Sequence, residues 1–360
     1  MRSFVWLAAL LSLFLFAQPA SALDDAKAKQ VMTNAVDGYI RPAYKDFHEK
    51  AAALVSETGK FCAAPDEDGL KVVQARFAET VASWGHIEFL REGPVMEQNR
   101  LERILFYPDR KSTGLKQVQA LLANPDDGVT DATKLKDRSV AIQGLGAFEF
   151  LFHGAYPEAI VSENDPFRCR YGLAIAGNVE IIAGELQVAW DAPDGIAKDW
   201  KNPSANNPIY RDSKEAVSAL IGIAVHGVEM VRDQRIKHFY KGRDAKVSPK
   251  LAVYWRSGLT MTALAANVDG LAKFWKAADF GAIMDPDMGS LADSADFDLR
   301  AAADALDKME QPTAERLKDD TYLKKIDFIE FNLRDAMIRI DKDVGGAVGL
   351  GAGFSFADGD

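Results

Sequence analysis

One acid stands alone in an apolar setting. In the segment RSVAIQGLGAFEFLFHG, residues 138–154, Glu149 follows Gly146, Ala147 and Phe148 and precedes Phe150, Leu151 and Phe152. A helix that is apolar on every side is a buried one. An ionised carboxylate there is costly unless a cation, a metal or several hydrogen-bond donors meet it. Glu149 is therefore expected to have an arginine, a metal or a polar ligand close by. Gly146 lies one turn earlier on the same helix face and leaves backbone open beside the carboxylate. His153, four residues after Glu149, shares that face. Imidazole and carboxylate together suit several divalent ions, while a histidine in a last helical turn serves the helix dipole equally well. Glu149 with His153 is thus one candidate metal pair, and a purely structural His153 is the alternative.

A second isolated charge is Arg256, in Trp255-Arg256-Ser257-Gly258 ahead of the apolar run 259–264. The expectation is that Glu149 and Arg256, or a ligand they share, meet where two helical bundles face each other. A cap on a neighbouring helix end is the other role open to Arg256. Trp84-Gly85-His86-Ile87-Glu88 offers His86 as a polar neighbour, and Arg103 is a further candidate cation. His226 and Glu229 have the i,i+3 spacing of helical metal bundles, but such sites need two pairs. Arg232 and Asp233 follow, so a charged surface face is the simpler reading. His48 lies among Asp46, Glu49 and Lys50. His238 has Lys237 and Lys241 near it, which suits no cation. The sequence has no HExxH zinc motif, nucleophile elbow, phosphate loop or dinucleotide fingerprint.

The elements that must position these residues are helical throughout, because apolar spacing follows the helical period and no stretch alternates with period two. A first helix is expected over 25–61, kinked near Tyr39-Ile40-Arg41 because Pro42 removes a hydrogen bond. Others are expected over 69–91, 100–106, 113–123 and 130–154. A second set follows over 166–190, 213–240, 252–278, 294–309 and 313–344. The stretch 191–212, rich in Pro, Asn, Asp and Gly, reads as a long loop, and 345–360 as a glycine-rich tail. The predicted class is all-α, with two antiparallel four-helix-bundle-like domains, 23–165 and 166–360, divided at the loop 155–166.

Residues 1–22 carry the three parts of a secretory signal: Arg2, the apolar run Val5 to Phe16, and Ala20-Ser21-Ala22. This implies a periplasmic protein, with no transmembrane segment in the mature chain. A formal net charge of -10 argues against nucleic acid as a partner. In an oxidising compartment the two cysteines, Cys62 and Cys169, are expected to pair.

The segment Ser139 to Phe152 resembles the signature helix of imelysin-like proteins, in particular their periplasmic predicted-lipoprotein branch. The resemblance extends to Arg103-Ile104-Leu105-Phe106-Tyr107-Pro108-Asp109, to Tyr254-Trp255-Arg256-Ser257-Gly258-Leu259 and to the C-terminal Gly353-Phe354-Ser355-Phe356-Ala357-Asp358-Gly359-Asp360. It implies two helical bundles, a periplasmic setting and a connection with iron uptake. The family takes its name from a metallopeptidase with the motif Gly-x-His-x-x-Glu. Gly144 and Glu149 match that motif, and Gly146 stands at the histidine position. A hydrolytic metal site needs imidazole or equivalent ligands, so the expected function is a non-catalytic ligand- or metal-binding protein. Its candidate site is Glu149, Gly144, Gly146, His86, Arg103, Trp255 and Arg256, at the cleft between the bundles. A divalent metal or iron is the cofactor the resemblance brings in, and iron-uptake or envelope proteins are the partners. The alternatives are a metal-dependent peptidase using Glu149 with His153 or His86, and a structural envelope component.

Overall fold

The computed structural model describes residues 23–154, 157, 159–162 and 165–350. The signal segment 1–22 and the C-terminal motif 353–360 lie outside these. Among the described residues every regular element is helical, and the fold is all-α.

The chain opens with α1 (Asp25–Ala35), whose first turn is capped by the Asp24 carboxylate. A π-helical turn, Val36–Ile40, leads into α2 (Arg41–Ala63). The irregularity falls where Pro42 was expected to act, since proline has no N–H to give the turn before it. Asp66 caps α3 (Glu67–Ile87). Then come α4 (Arg100–Ile104), α5 (Thr113–Ala123), α6 (Leu145–His153) and α7 (Ala159–Ser162). Asp165 caps α8 (Pro166–Asp191), and the short α9 is Ile196–Lys201. Next, α10 (Ser213–Glu229) passes through a second π turn, Met230–Ile236, into α11 (Lys237–Phe239). The chain ends with α12 (Thr260–Ala278), α13 (Ser290–Asp307) and α14 (Asp320–Ile338), the last followed by a π turn at Arg339–Gly345.

Four expected elements differ, one of them the helix foreseen over 313–344, which begins at Asp320. The helix foreseen over 130–154 is confined to α6. Before it the backbone makes short 3-10 turns, held by Gln143 donating to the carbonyls of Leu135 and Arg138. Gly144 then takes φ +83°, which no continuing helix allows. The helix foreseen from 252 begins at Thr260, because Tyr254 and Gly258 both have positive φ and fold 253–259 into a turn. The loop 191–212 contains α9.

Helix α2 packs between α3 and α8, and α6 lies against α8 and α3. Their contact surfaces are built from Tyr44, Phe47 and Leu54 on α2 and from Tyr171, Ile175, Val179 and Leu186 on α8, all buried. The loop 155–166, read from sequence as a domain boundary, thus has α2 before it and α8 after it lying side by side. Cys62 at the end of α2 and Cys169 at the start of α8 are joined by a disulfide, with Cα atoms 5.6 Å apart. In the rest of the molecule α12 packs on α13, α13 on α14, and α10 on α14; α1 packs on α10 and α12. Helices α3 and α12 cross closely. A Cβ at Gly270 would sit 2.2 Å from the His86 carbonyl, so only glycine lets the two backbones approach this far. One continuous apolar cluster runs through all of these contacts. Among the described residues no helix is long and apolar enough to cross a membrane.

Candidate functional site

Glu149 sits in the middle of α6 and is 4% exposed. Its Oε1 accepts two hydrogen bonds from one residue, the backbone N–H and the hydroxyl of Ser257, each 2.9 Å. The turn 253–259 aims those donors. Tyr254, at φ +53°, reverses the chain; its carbonyl accepts from the Leu259 N–H and lies 3.1 Å from Ser257 Oγ, where it competes with Glu149 for the single hydroxyl proton. Thr260 Oγ1 closes the turn onto the Val253 carbonyl at 2.7 Å. Burial raises the pKa of Glu149 above its ordinary value, and the Ser257 hydrogen bonds and the nearby Arg256 charge work against that rise.

Arg256 lies beside Glu149 without a direct ion pair. Its guanidinium stacks over the Trp255 indole, 4.5 Å from the ring centre, and faces the Phe150 ring at 5.4 Å. Burial pulls its pKa down, with Glu149 and Asp109 acting in the opposite direction. Lys250 approaches the same indole, its Nζ 5.5 Å from the centre.

These groups line a cavity of about 340 Å³. One side is formed by the stretch 105–109, α5 and the first half of α6, and the other by residues 250–256. Its apolar wall includes Phe106, Leu115, Val118 and Phe150. Gly146 opens directly onto it: a Cβ built there would meet no atom within 4 Å. Gly144, two residues earlier, is the opposite case, since a Cβ there would lie 2.4 Å from the carbonyl oxygens of Arg103 and Ile104. That contact fixes α6 against α4 and so sets where Glu149 stands.

Of the residues nominated from sequence, the cavity brings together Gly146, Glu149, Trp255 and Arg256. His86 lies elsewhere, its Nε2 3.1 Å from Asp269 at the crossing of α3 and α12. Arg103 faces the other side of α6's leading segment. It donates to Gln143 at 3.1 Å and to Asn178 at 2.8 Å, and so braces the turns before Gly144 rather than touching Glu149. His153 rests on the Phe77 ring at 5.2 Å, and its Nε2 has no hydrogen-bond partner among the described residues. Desolvation lowers its pKa to about 4. His153 is absent from the cavity wall, so it and Glu149 do not share a site despite their spacing.

Sequence reasoning did not single out Ser257, Asp109, Lys250 or His238 as site residues. Ser257 stands between two residues that were noticed, but nothing in its neighbours marks it as a donor to a helix more than a hundred positions earlier. Asp109 uses both carboxylate oxygens on the N–H groups of Thr113, Gly114 and Leu115. The N-cap position of α5 is Ser112, which makes no side-chain cap, so the ordinary capping signal did not point to Asp109. Among the described residues no three His, Cys, Asp or Glu side chains come together in a way that could hold a metal ion.

A separate buried pair lies deeper, where Glu88 accepts from Arg235 and from Asn267. The Arg235 guanidinium also covers the Tyr107 ring, 4.4 Å from its centre, which ties the cavity's far wall to the α3–α12 crossing.

No curated protein matches the chain. Two solved structures share its fold. An imelysin-like protein from Psychrobacter arcticum 273-4 superposes with a TM-score of 0.74 at 17% identity, over 92% of this chain and 99% of that one. A putative iron-regulated protein A precursor from Parabacteroides distasonis ATCC 8503 gives 0.73 at 14% identity, over 92% and 97%. The family Peptidase_M75, imelysin, matches residues 40–328, and those residues include α6, the turn 253–259 and every wall of the cavity: the chain belongs to the imelysin family.

Proposed function

We propose that this chain is a non-catalytic binding protein of the imelysin family that works in the periplasm and holds its ligand in the cavity beside Glu149. One observation carries the reading. Gly146 occupies the motif position where the resemblance has histidine, and it leaves open space at the cavity wall. Where the motif would place an imidazole, this chain has room for a ligand.

A divalent metal does not fit the residues present. Glu149 Oε1 already accepts two hydrogen bonds, Asp109 is committed to the start of α5, and Arg256 brings a positive charge that interacts with both acids. A metal ion in the hydrolytic role needs several donors and an open position, and Ser257 supplies protons instead. A link to iron uptake is supported by one structural neighbour, a putative iron-regulated protein A precursor, and an exported location by the signal-like residues 1–22. In this role the partner is another iron-uptake or envelope protein.

The test has two arms on the mature chain. In the first, casein is incubated with the protein and added Zn²⁺ or Fe²⁺. No cleavage is expected; chelator-sensitive cleavage that disappears in Glu149→Gln would establish the peptidase reading instead. In the second, a small-molecule thermal-shift screen compares the native chain with Gly146→Leu, which fills the opening. Compounds that stabilise the first and not the second support the cavity, and equal responses reject it.

A further inference from the structure

The charges around the cavity are unevenly satisfied. Its two acids are met from within the protein: Glu149 by the Ser257 donors, Asp109 by three backbone N–H groups of α5. The two cations on its wall are not. Arg256 and Lys250 form no ion pair and no side-chain hydrogen bond among the described residues, and both lie against the Trp255 indole. The pKa of a third wall group, His238, is lowered first by burial and then by the positive charges of Arg110, Lys241 and Arg235. Among the described residues, Arg235 is the one of those three with an ion pair, to Glu88. The chain as a whole carries a formal net charge of -10, so this concentration of unpaired cations runs against its average.

An indole with a cation on it is a stable arrangement that leaves the cation's hydrogen-bond donors for another partner. The remaining wall, Phe106, Leu115, Val118 and Phe150, is apolar. Its volume of about 340 Å³ lies in the range of small-molecule sites.

Resting on the reading that the cavity holds a ligand, we infer that this ligand is an organic anion with a flat apolar body, its carboxylate or phosphate taken by Arg256 and Lys250 and its body lying along Phe106, Phe150 and Trp255. The Glu149 carboxylate beside it is already met by the two Ser257 donors, and burial raises its pKa.

Isothermal titration calorimetry on the full mature chain tests this with four probes of one shape: 1-naphthoate, 1-naphthyl phosphate, 1-naphthylmethanol and 1-naphthylmethylammonium. The anions are expected to bind at least tenfold tighter than the cation, with the alcohol between them; the tighter of the two anions identifies the head group. Arg256→Gln and Lys250→Gln should each weaken the anions about tenfold and leave the alcohol within twofold. Lys250→Gln serves if Arg256→Gln fails to fold by circular dichroism, because Lys250 supports no other side chain by hydrogen bond. Equal or tighter binding of the cation, or anion binding indifferent to both variants, would overturn the anion assignment while leaving the cavity a ligand site. If none of the four probes binds, both this inference and the cavity reading fall.

Discussion

Ser257 holds Glu149 with two donors on a single oxygen, its amide N–H and its hydroxyl both 2.9 Å from Oε1. The bond joins α6 to a turn 108 positions later in the chain, so the acid in the apolar helix also fastens the cavity's two walls together. Ser257→Ala removes the hydroxyl and keeps the amide. A hydrogen bond to a buried carboxylate is worth about 1.5–3 kcal/mol, and a loss of that size is expected in urea unfolding, with no change in the slope. No measurable loss would mean that the hydroxyl serves Tyr254 alone.

Glu149 should also give the fold a specific pH dependence. Its folded pKa is raised above the ordinary 4.5 by burial. The folded state therefore holds this proton more tightly than the unfolded chain does. The stability from this group is full below pH 4.5 and is lost as pH rises through the folded value. Relative to Glu149→Gln, the native chain should weaken as pH rises from 4 and level off above that value. Denaturant unfolding of both proteins across pH 4–8 measures the difference; a flat difference would place the carboxylate's charge entirely on Ser257 and Arg256.

His153 works in the other direction. Its pKa falls from 6.5 to about 4 on folding, so it contributes stability above pH 6.5 that is lost as pH drops toward 4. At pH 5 the loss is about 2 kcal/mol, at 1.36 kcal/mol per pKa unit. His153→Phe keeps the stack on Phe77 and removes both the titration and an unpartnered ring nitrogen. It should match the native chain at pH 7 and exceed it at pH 5, as read by urea midpoints.

The two motif glycines should respond oppositely to alanine. At Gly144 the Cβ would be driven into two carbonyl oxygens at 2.4 Å with the backbone at φ +83°, and a loss of about 3 kcal/mol or more, or failure to fold, is expected. At Gly146 the Cβ enters open space inside a helix, where alanine is favoured over glycine by about 0.5–1 kcal/mol. Thermal midpoints of the two variants should move in opposite directions, and a fall in both would show that α6 tolerates no side chain on its cavity face.

Reduction of the Cys62–Cys169 bridge should cost about 3–5 kcal/mol, because it releases a loop with a sequence separation of 107 in the unfolded chain. Guanidinium unfolding with and without dithiothreitol checks this. A loss under about 1 kcal/mol would imply that α2 and α8 stay associated in the unfolded chain.

The helical class was legible because apolar residues recur at helical spacing over nearly the whole chain, and the cap residues Asp24, Asp66, Asp165, Asp212 and Asp319 each stand just before a helix. The stretch 130–144 was not. Its apolar residues fit a helix, and what stops one is tertiary: Gln143 donates to backbone carbonyls and accepts from Arg103, and Gly144 is pressed against α4. Within the site, the isolation of Glu149 and of Arg256 could be read from their apolar neighbours alone. The angular spacing of Glu149 and His153 could be read too, but the shared helix face is broad enough for one residue to point at Ser257 and the other at Phe77. Lys250 carried no signal, and the lysines around His238 spoke only against a cation there, because each looks like a surface residue until the turn 253–259 folds the chain over α6.

Helix α1 is synthesised first and seated among the last. Its partners are α10 and α12, which lie at residues 213–229 and 260–278. Helix α2 can settle on α3 at once, but its other face waits for α8, beyond residue 165. As the chain emerges amino end first, α1 and the α8 side of α2 therefore stay uncovered until much of it has followed. A fragment that ends before residue 196 would leave the buried residues of α1, Ala28, Val31, Met32 and Ala35, without α9, α10 and α12 to cover them.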